Sequence, residues 1–111
     1  MNREDEDLAA LLKSMGELYR RNGQTQRALV MLLIAVQVTP RDSELLRNLA
    51  MAFTDSGDGV RALAALDRLR DLEGESRGEL LLRSRALWVV GNEDDARLCF
   101  KRYLAARRTE Q

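Results

Sequence analysis

Side chains that commonly carry catalysis are scarce here: 111 residues include no histidine, one cysteine and two tyrosines. Without imidazole, general base work falls to a carboxylate or a lysine, and no group of carboxylates lies on an apolar stretch that would tune it. Ser14, Ser43, Ser56, Ser76 and Ser84 have no partner of triad type. Gly57-Asp58-Gly59 reads as a turn, and no glycine-rich phosphate loop follows a strand. One cysteine cannot close a disulfide within the chain, and without histidine no Cys/His metal cluster assembles. Cys99 reads as a small core residue on its helix. The expectation is a protein that is not an enzyme, with no catalytic, cofactor-binding or metal residue.

The chemistry left is recognition. Leu81, Arg85 and Trp88 follow one another at helical spacing, and Trp88 is the only tryptophan. Tryptophan and arginine are the types most enriched where binding energy concentrates. Covering about 200 Å² of indole yields roughly 5 kcal/mol as an upper limit, before ordering costs. Trp88 either meets a ligand in this way or folds over a seam between helices as ordinary core.

The elements that must position these residues repeat. Gly23, Gly57 and Gly91 stand 34 residues apart. Each is followed by an alanine (Ala28, Ala62, Ala96) and then a large apolar residue (Leu32, Leu66, Phe100) at constant offsets. Upstream the same register holds Leu12, Leu46 and Leu80, the small residues Gly16, Ala50 and Ser84, and then Tyr19, Phe53 and Leu87. A 34-residue period of small and large apolar residues is the signature of the tetratricopeptide repeat, a helix–turn–helix unit. The fold expected is all-α: three such repeats, about 9–42, 43–76 and 77–110, forming a short right-handed solenoid in one domain over 1–111.

In the first unit, helix A is expected over about Asp7 to Arg21 and helix B over about Thr25 to Val38. Leu8, Leu11, Leu12, Met15 and Tyr19 form the inward stripe of helix A. Gly16 and Ala28 let the two backbones approach. Pro40 closes the unit. Asp42 or Ser43 caps the second unit, which runs to about Ser56, turns at Gly57-Asp58-Gly59 and continues from Val60 to about Leu72. Glu73-Gly74-Glu75-Ser76 stands where a closing proline would be, so the joint to the third unit is expected to be looser. The third unit runs Arg77 to Val90 and Glu93 to about Ala106, with Phe100 and Tyr103 at packing positions.

Two surfaces follow from the register. Helices A line the concave groove of this repeat. Their groove positions are Lys13, Glu17 and Arg20, then Arg47, Met51 and Thr54, then Leu81, Arg85 and Trp88. The second surface is helix B of the first unit, apolar on every side from Ala28 to Val36. Leu29, Leu32, Ala35 and Val36 take the inward positions, leaving Val30, Met31, Leu33 and Ile34 on the convex side. A helix apolar all round is normally buried all round, so this patch is either an interface or covered by the chain's own N-terminal segment.

Lys+Arg and Asp+Glu number 18 each, so no field of one sign favours nucleic acid or an anionic membrane. Acidic Glu4 to Asp7 and basic Arg107-Arg108 suit the N- and C-terminal ends of helices. Met1-Asn2-Arg3-Glu4-Asp5 is unlike a signal peptide. The longest apolar stretch falls well short of the roughly 20 residues a membrane span needs. The expectation is a soluble protein of a reducing cytoplasm, without membrane insertion.

In register, the chain resembles the small tetratricopeptide chaperones of bacterial type III secretion, closest to the YscY type. Leu82-Arg83-Ser84-Arg85-Ala86, Gly91-Asn92, Asp95-Ala96-Arg97 and Tyr103-Leu104 resemble the third repeat of that family. Gly23, Arg27-Ala28, the long apolar helix and Pro40 resemble its first. The likeness spans roughly residues 8 to 106. Gly59 and the missing proline after the second unit depart from it. The resemblance implies a cytoplasmic chaperone without cofactor that forms a heterodimer with a small, early-exported secretion component of the YscX type. It also implies delivery to the inner-membrane export gate as a further contact. Carried onto this sequence, it puts the client on Leu81, Arg85, Trp88 and the apolar helix B. Chaperones of the translocator proteins are the other helical-repeat class in these systems; they are usually longer and carry an N-terminal dimerisation segment not seen here. A self-associating repeat scaffold without a client is the remaining alternative.

Overall fold

The turn glycines divide the chain as the period predicts. Gly23, Gly57 and Gly91 adopt φ of 76°, 84° and 86°. That left-handed conformation ends a helix at little cost only where no Cβ is present. Residues 2–109 are described by a computed structural model. They form α1 (Arg3–Arg21), α2 (Thr25–Val38), α3 (Ser43–Asp55), α4 (Gly59–Glu73), α5 (Arg77–Val89) and α6 (Glu93–Thr109). No strand occurs among the described residues. Position 110, the last of the expected third repeat, lies outside them.

Polar caps set the helix starts. The Asn2 side chain accepts from the Asp5 amide at 2.8 Å, Asp42 from Leu45 at 3.1 Å, Asp58 from Arg61 at 3.1 Å and Ser76 from Glu79 at 3.1 Å. Of the two candidates for the start of the second unit, Asp42 is therefore the cap. Asn2 with Glu4, Asp5 and Glu6 in the first turn starts α1 ahead of Asp7, where the apolar periodicity begins.

Three helical hairpins, α1–α2, α3–α4 and α5–α6, stack in chain order, with α3 also touching α1 and α5. Leu32, Leu45, Leu46, Leu66 and Leu69 are fully buried. A Cβ on Gly16 would lie 2.6 Å from the Leu32 side chain, so glycine lets α1 and α2 cross closely. Gly59 does the same between hairpins. A Cβ there would stand 2.5 Å from Val90 Cγ1 and 2.7 Å from the Ala86 carbonyl oxygen.

Two expected core groups differ. Leu8 and Leu11, assigned to the inward stripe of the first helix, are 49% and 57% exposed, whereas Leu12 and Tyr19 do pack on the core. Phe100 is 44% exposed, stacked on half-buried Tyr103 with ring centroids 5.7 Å apart. Its counterparts Leu32 and Leu66 are fully buried. The reason is the same at both ends: burial at these positions comes from a neighbouring hairpin, and α1 and α6 each have one on one side only.

Candidate polypeptide-binding surface

The charged groove positions of the first two repeats are tied up within the chain. Lys13 Nζ donates to Asp42 Oδ2 at 2.9 Å and lies 3.5 Å from Glu44, joining α1 to the start of α3. Burial pushes the Asp42 carboxyl up, but the Lys13 hydrogen bond, the Leu45 amide and the Lys13 charge outweigh it and hold the group below its ordinary value. The same hydrogen bond to Asp42 raises the Lys13 ammonium, against desolvation. Arg47 pairs with Glu73 at the end of α4. Arg20 Nε donates to Asn48 at 3.3 Å, again from α1 to α3. Met51 and Leu81 are half-buried.

Arg85 and Trp88 are different. Both are exposed, Trp88 by 55%, and both line an open cavity of about 600 Å³. Thr54 and Asp55 at the end of α3, Ser84 and Val89 of α5, and Ala96, Arg97, Phe100 and Lys101 of α6 complete its lining. Arg85 lies 3.9 Å from Asp55. Arg97 stays close to its own helix, 3.7 Å from Glu93 and from Asp94. Of the groove residues singled out from sequence, the cavity thus brings together Arg85, Trp88 and Thr54; Lys13, Arg47, Met51 and Leu81 are not part of it. Phe100 was expected inside the core. The signal that could have placed it here is its position in the last repeat.

In α2, Val30, Leu33 and Ile34 are 55%, 40% and 48% exposed, and Met31 is half-buried. Leu29, Leu32, Ala35 and Val36 are buried on the other face of the same helix. Among the described residues, α1 does not cover this patch.

Sequence reasoning missed one polar cluster. Glu79 is only 1% exposed. Its carboxylate accepts from Arg70 Nη2 of α4 at 2.7 Å and from Arg83 Nε at 2.6 Å, while Arg83 Nη1 reaches Asp67 of α4 at 2.9 Å. Arg70 also lies 3.4 Å from Glu75, which accepts from Arg102 of α6 at 2.6 Å. Burial lowers the tendency of the Arg83 guanidinium to stay charged, and its bonds to Glu79 and Asp67 more than restore it. The joint expected to be looser is therefore locked by an ion network. Cys99 is half-buried, and that burial pushes its thiol above the ordinary value. It stays protonated at neutral pH and is a poor nucleophile.

No helix is long and apolar enough to cross a membrane, and no group of three or more His, Cys, Asp or Glu among the described residues could hold a metal ion. No protein-family model matches the chain. No curated protein matches it either. Among solved structures, the first TPR domain of the human RPAP3 protein, determined by NMR, superposes with a TM-score of 0.78 at 19% identity, covering 89% of this chain and 78% of that one. At that identity the likeness is one of fold: the chain has the tetratricopeptide fold.

Proposed function

We propose that this protein binds polypeptide and catalyses nothing, and that it serves as a YscY-type chaperone of type III secretion in the bacterial cytoplasm. Its client is a small, early-exported component of the YscX type, held as a heterodimer and brought to the export gate. The observation that carries the binding reading is the open, largely apolar cavity that Trp88 and Phe100 line together with the cations Arg85, Arg97 and Lys101. An indole and a phenyl ring half in water are costly to leave uncovered, and an amphipathic client helix would cover both. The client surface extends over Lys13, Arg47, Met51, Leu81, Arg85 and Trp88, with Val30, Met31, Leu33 and Ile34 on the far side. A client that touches both wraps around the stack. The identity of the client rests on the residue resemblance of the third and first repeats.

The mechanism is mass action. Apolar helices of a marginally stable client are buried here rather than against one another, and each complex withdraws client from aggregation. The repeats at 9–42, 43–76 and 77–110 act as one binding domain in this reading. Purification of the tagged protein from its native cytoplasm, with mass spectrometry of what comes with it, tests the assignment. A small helical secretion component at near-equal amount supports it. A translocator protein moves the protein to the other chaperone class, and recovery of the chain alone rejects a client.

A further inference from the structure

The interface that stacks one hairpin on the next occurs twice inside this chain, and its two halves lie open at opposite ends. On the incoming side, α5 turns Glu79, Arg83 and Ala86 onto α4, through the Arg70 and Asp67 ion pairs and the close approach to Gly59. One period earlier the same positions of α3 are Leu45, Leu49 and Ala52, all buried, and Asn48 beside them meets Arg20 of α1. One period earlier again they are Leu11, Met15 and Leu18 of α1. Leu11 and Leu18 are 57% and 60% exposed there, and Met15 is half-buried. On the receiving side, Ala62 and Leu66 of α4 are fully buried, whereas Phe100, the counterpart of Leu66, lies open in the cavity.

We propose that a second copy of this chain fills that cavity: α1 of one molecule docks on the α5–α6 hairpin of another, continuing the stack head to tail. The two faces are homologous to halves that already fit each other within the molecule. Charge supports the same pairing. The seat is rimmed by Arg97 and Lys101 and ends at the exposed Arg107 and Arg108, while α1 opens with exposed Glu4, Asp5, Glu6 and Asp7. Stacking in register brings that acidic first turn to the basic last turn of α6, where the helix ends also attract. The interface is heterologous, with different patches on the two partners, so it does not stop at a dimer unless the rotation closes a ring. The proposal does not rest on the chaperone reading. A client seated around Trp88 would compete with it.

The test uses the purified full chain alone, by sedimentation velocity over rising concentration and with two single-end variants. Leu11→Asp blocks the α1 face, and Lys101→Glu blocks the seat; both side chains are exposed, so each fold should survive, and circular dichroism checks that it does. The parent's weight-average mass should climb from 12.6 kDa past twice that value without a plateau at the dimer. Each variant alone should stay at 12.6 kDa, and an equimolar mixture should form a one-to-one pair and nothing larger. A parent that remains at monomer mass throughout overturns the proposal. So does association that halts at a dimer, or a mixture that stays monomeric.

Discussion

Glu79 is the residue on which the joint between the second and third hairpins depends. A carboxylate 1% exposed between Arg70 and Arg83 is compensated only while both partners remain. Removing one partner of a buried ion pair costs more than exchanging the whole pair for apolar residues, because it strands charge. Arg70 Nε and Arg83 Nη2 are already buried without a hydrogen-bond partner among the described residues. Glu79→Ala should therefore lower unfolding free energy by about 3 kcal/mol, read as a shift of the urea midpoint; an unchanged midpoint would show the network to be idle. Lys13 and Asp42 give a pH signature. Asp42 is held below its ordinary 3.8, so its contribution is full above that value and is lost as pH falls through the folded-state value. Lys13 is raised above 10.5, so its share is full below that value and disappears in strong base. Asp42→Asn keeps the helix cap and removes the charge. The stability gap between parent and variant should be constant near neutrality and should narrow as pH falls below the ordinary carboxyl value of 3.8; a gap that does not narrow would contradict the assignment.

At the scale of the helices, Gly59 is where two hairpins approach too closely for a side chain. The atoms its Cβ would meet include the Ala86 carbonyl, which is backbone and cannot swing aside. Gly59→Ala should destabilise by about 1–3 kcal/mol despite better helix propensity, measured by thermal unfolding; a stabilised variant would show that the hairpins are packed less closely than described. The helices themselves were legible in the sequence because glycine, alanine and large apolar residues return every 34 positions. The start of α1 was less so, since Arg3 to Asp7 carry no apolar period and are marked only by the Asn2 cap and the acidic first turn. The period puts Phe100 in the core, because the same repeat position is core in Leu32 and Leu66. Periodicity reports the position in a unit; whether a neighbouring unit covers it is decided by the stack. The role of Glu79 is hidden in the sequence for a related reason. A glutamate in a first helical turn looks solvated, and its partner Arg70 belongs to another helix.

In the whole molecule, each hairpin rests mainly on its neighbours, so stability is shared along the stack while its two ends stay unfinished. Extents of 42 × 27 × 22 Å leave a large surface for so short a chain, and apolar side chains occupy both ends and one flank of it. That distribution is what a polypeptide-holding protein requires and what a self-sufficient one avoids. Trp88 lies where the groove meets the open end, and Ile34 is on the far flank. Truncating an indole that is half in water should weaken binding of the proposed client by about 2 kcal/mol, roughly 30-fold in affinity. The measurement that tests this most directly is the amount of client co-purifying from the native cytoplasm with the parent, with Trp88→Ala and with Ile34→Glu, at matched expression and helicity. The account predicts one small helical partner at near-equal amount with the parent and sharply less with either variant. A client retained in full by both variants, or a parent that brings down no partner, would contradict it.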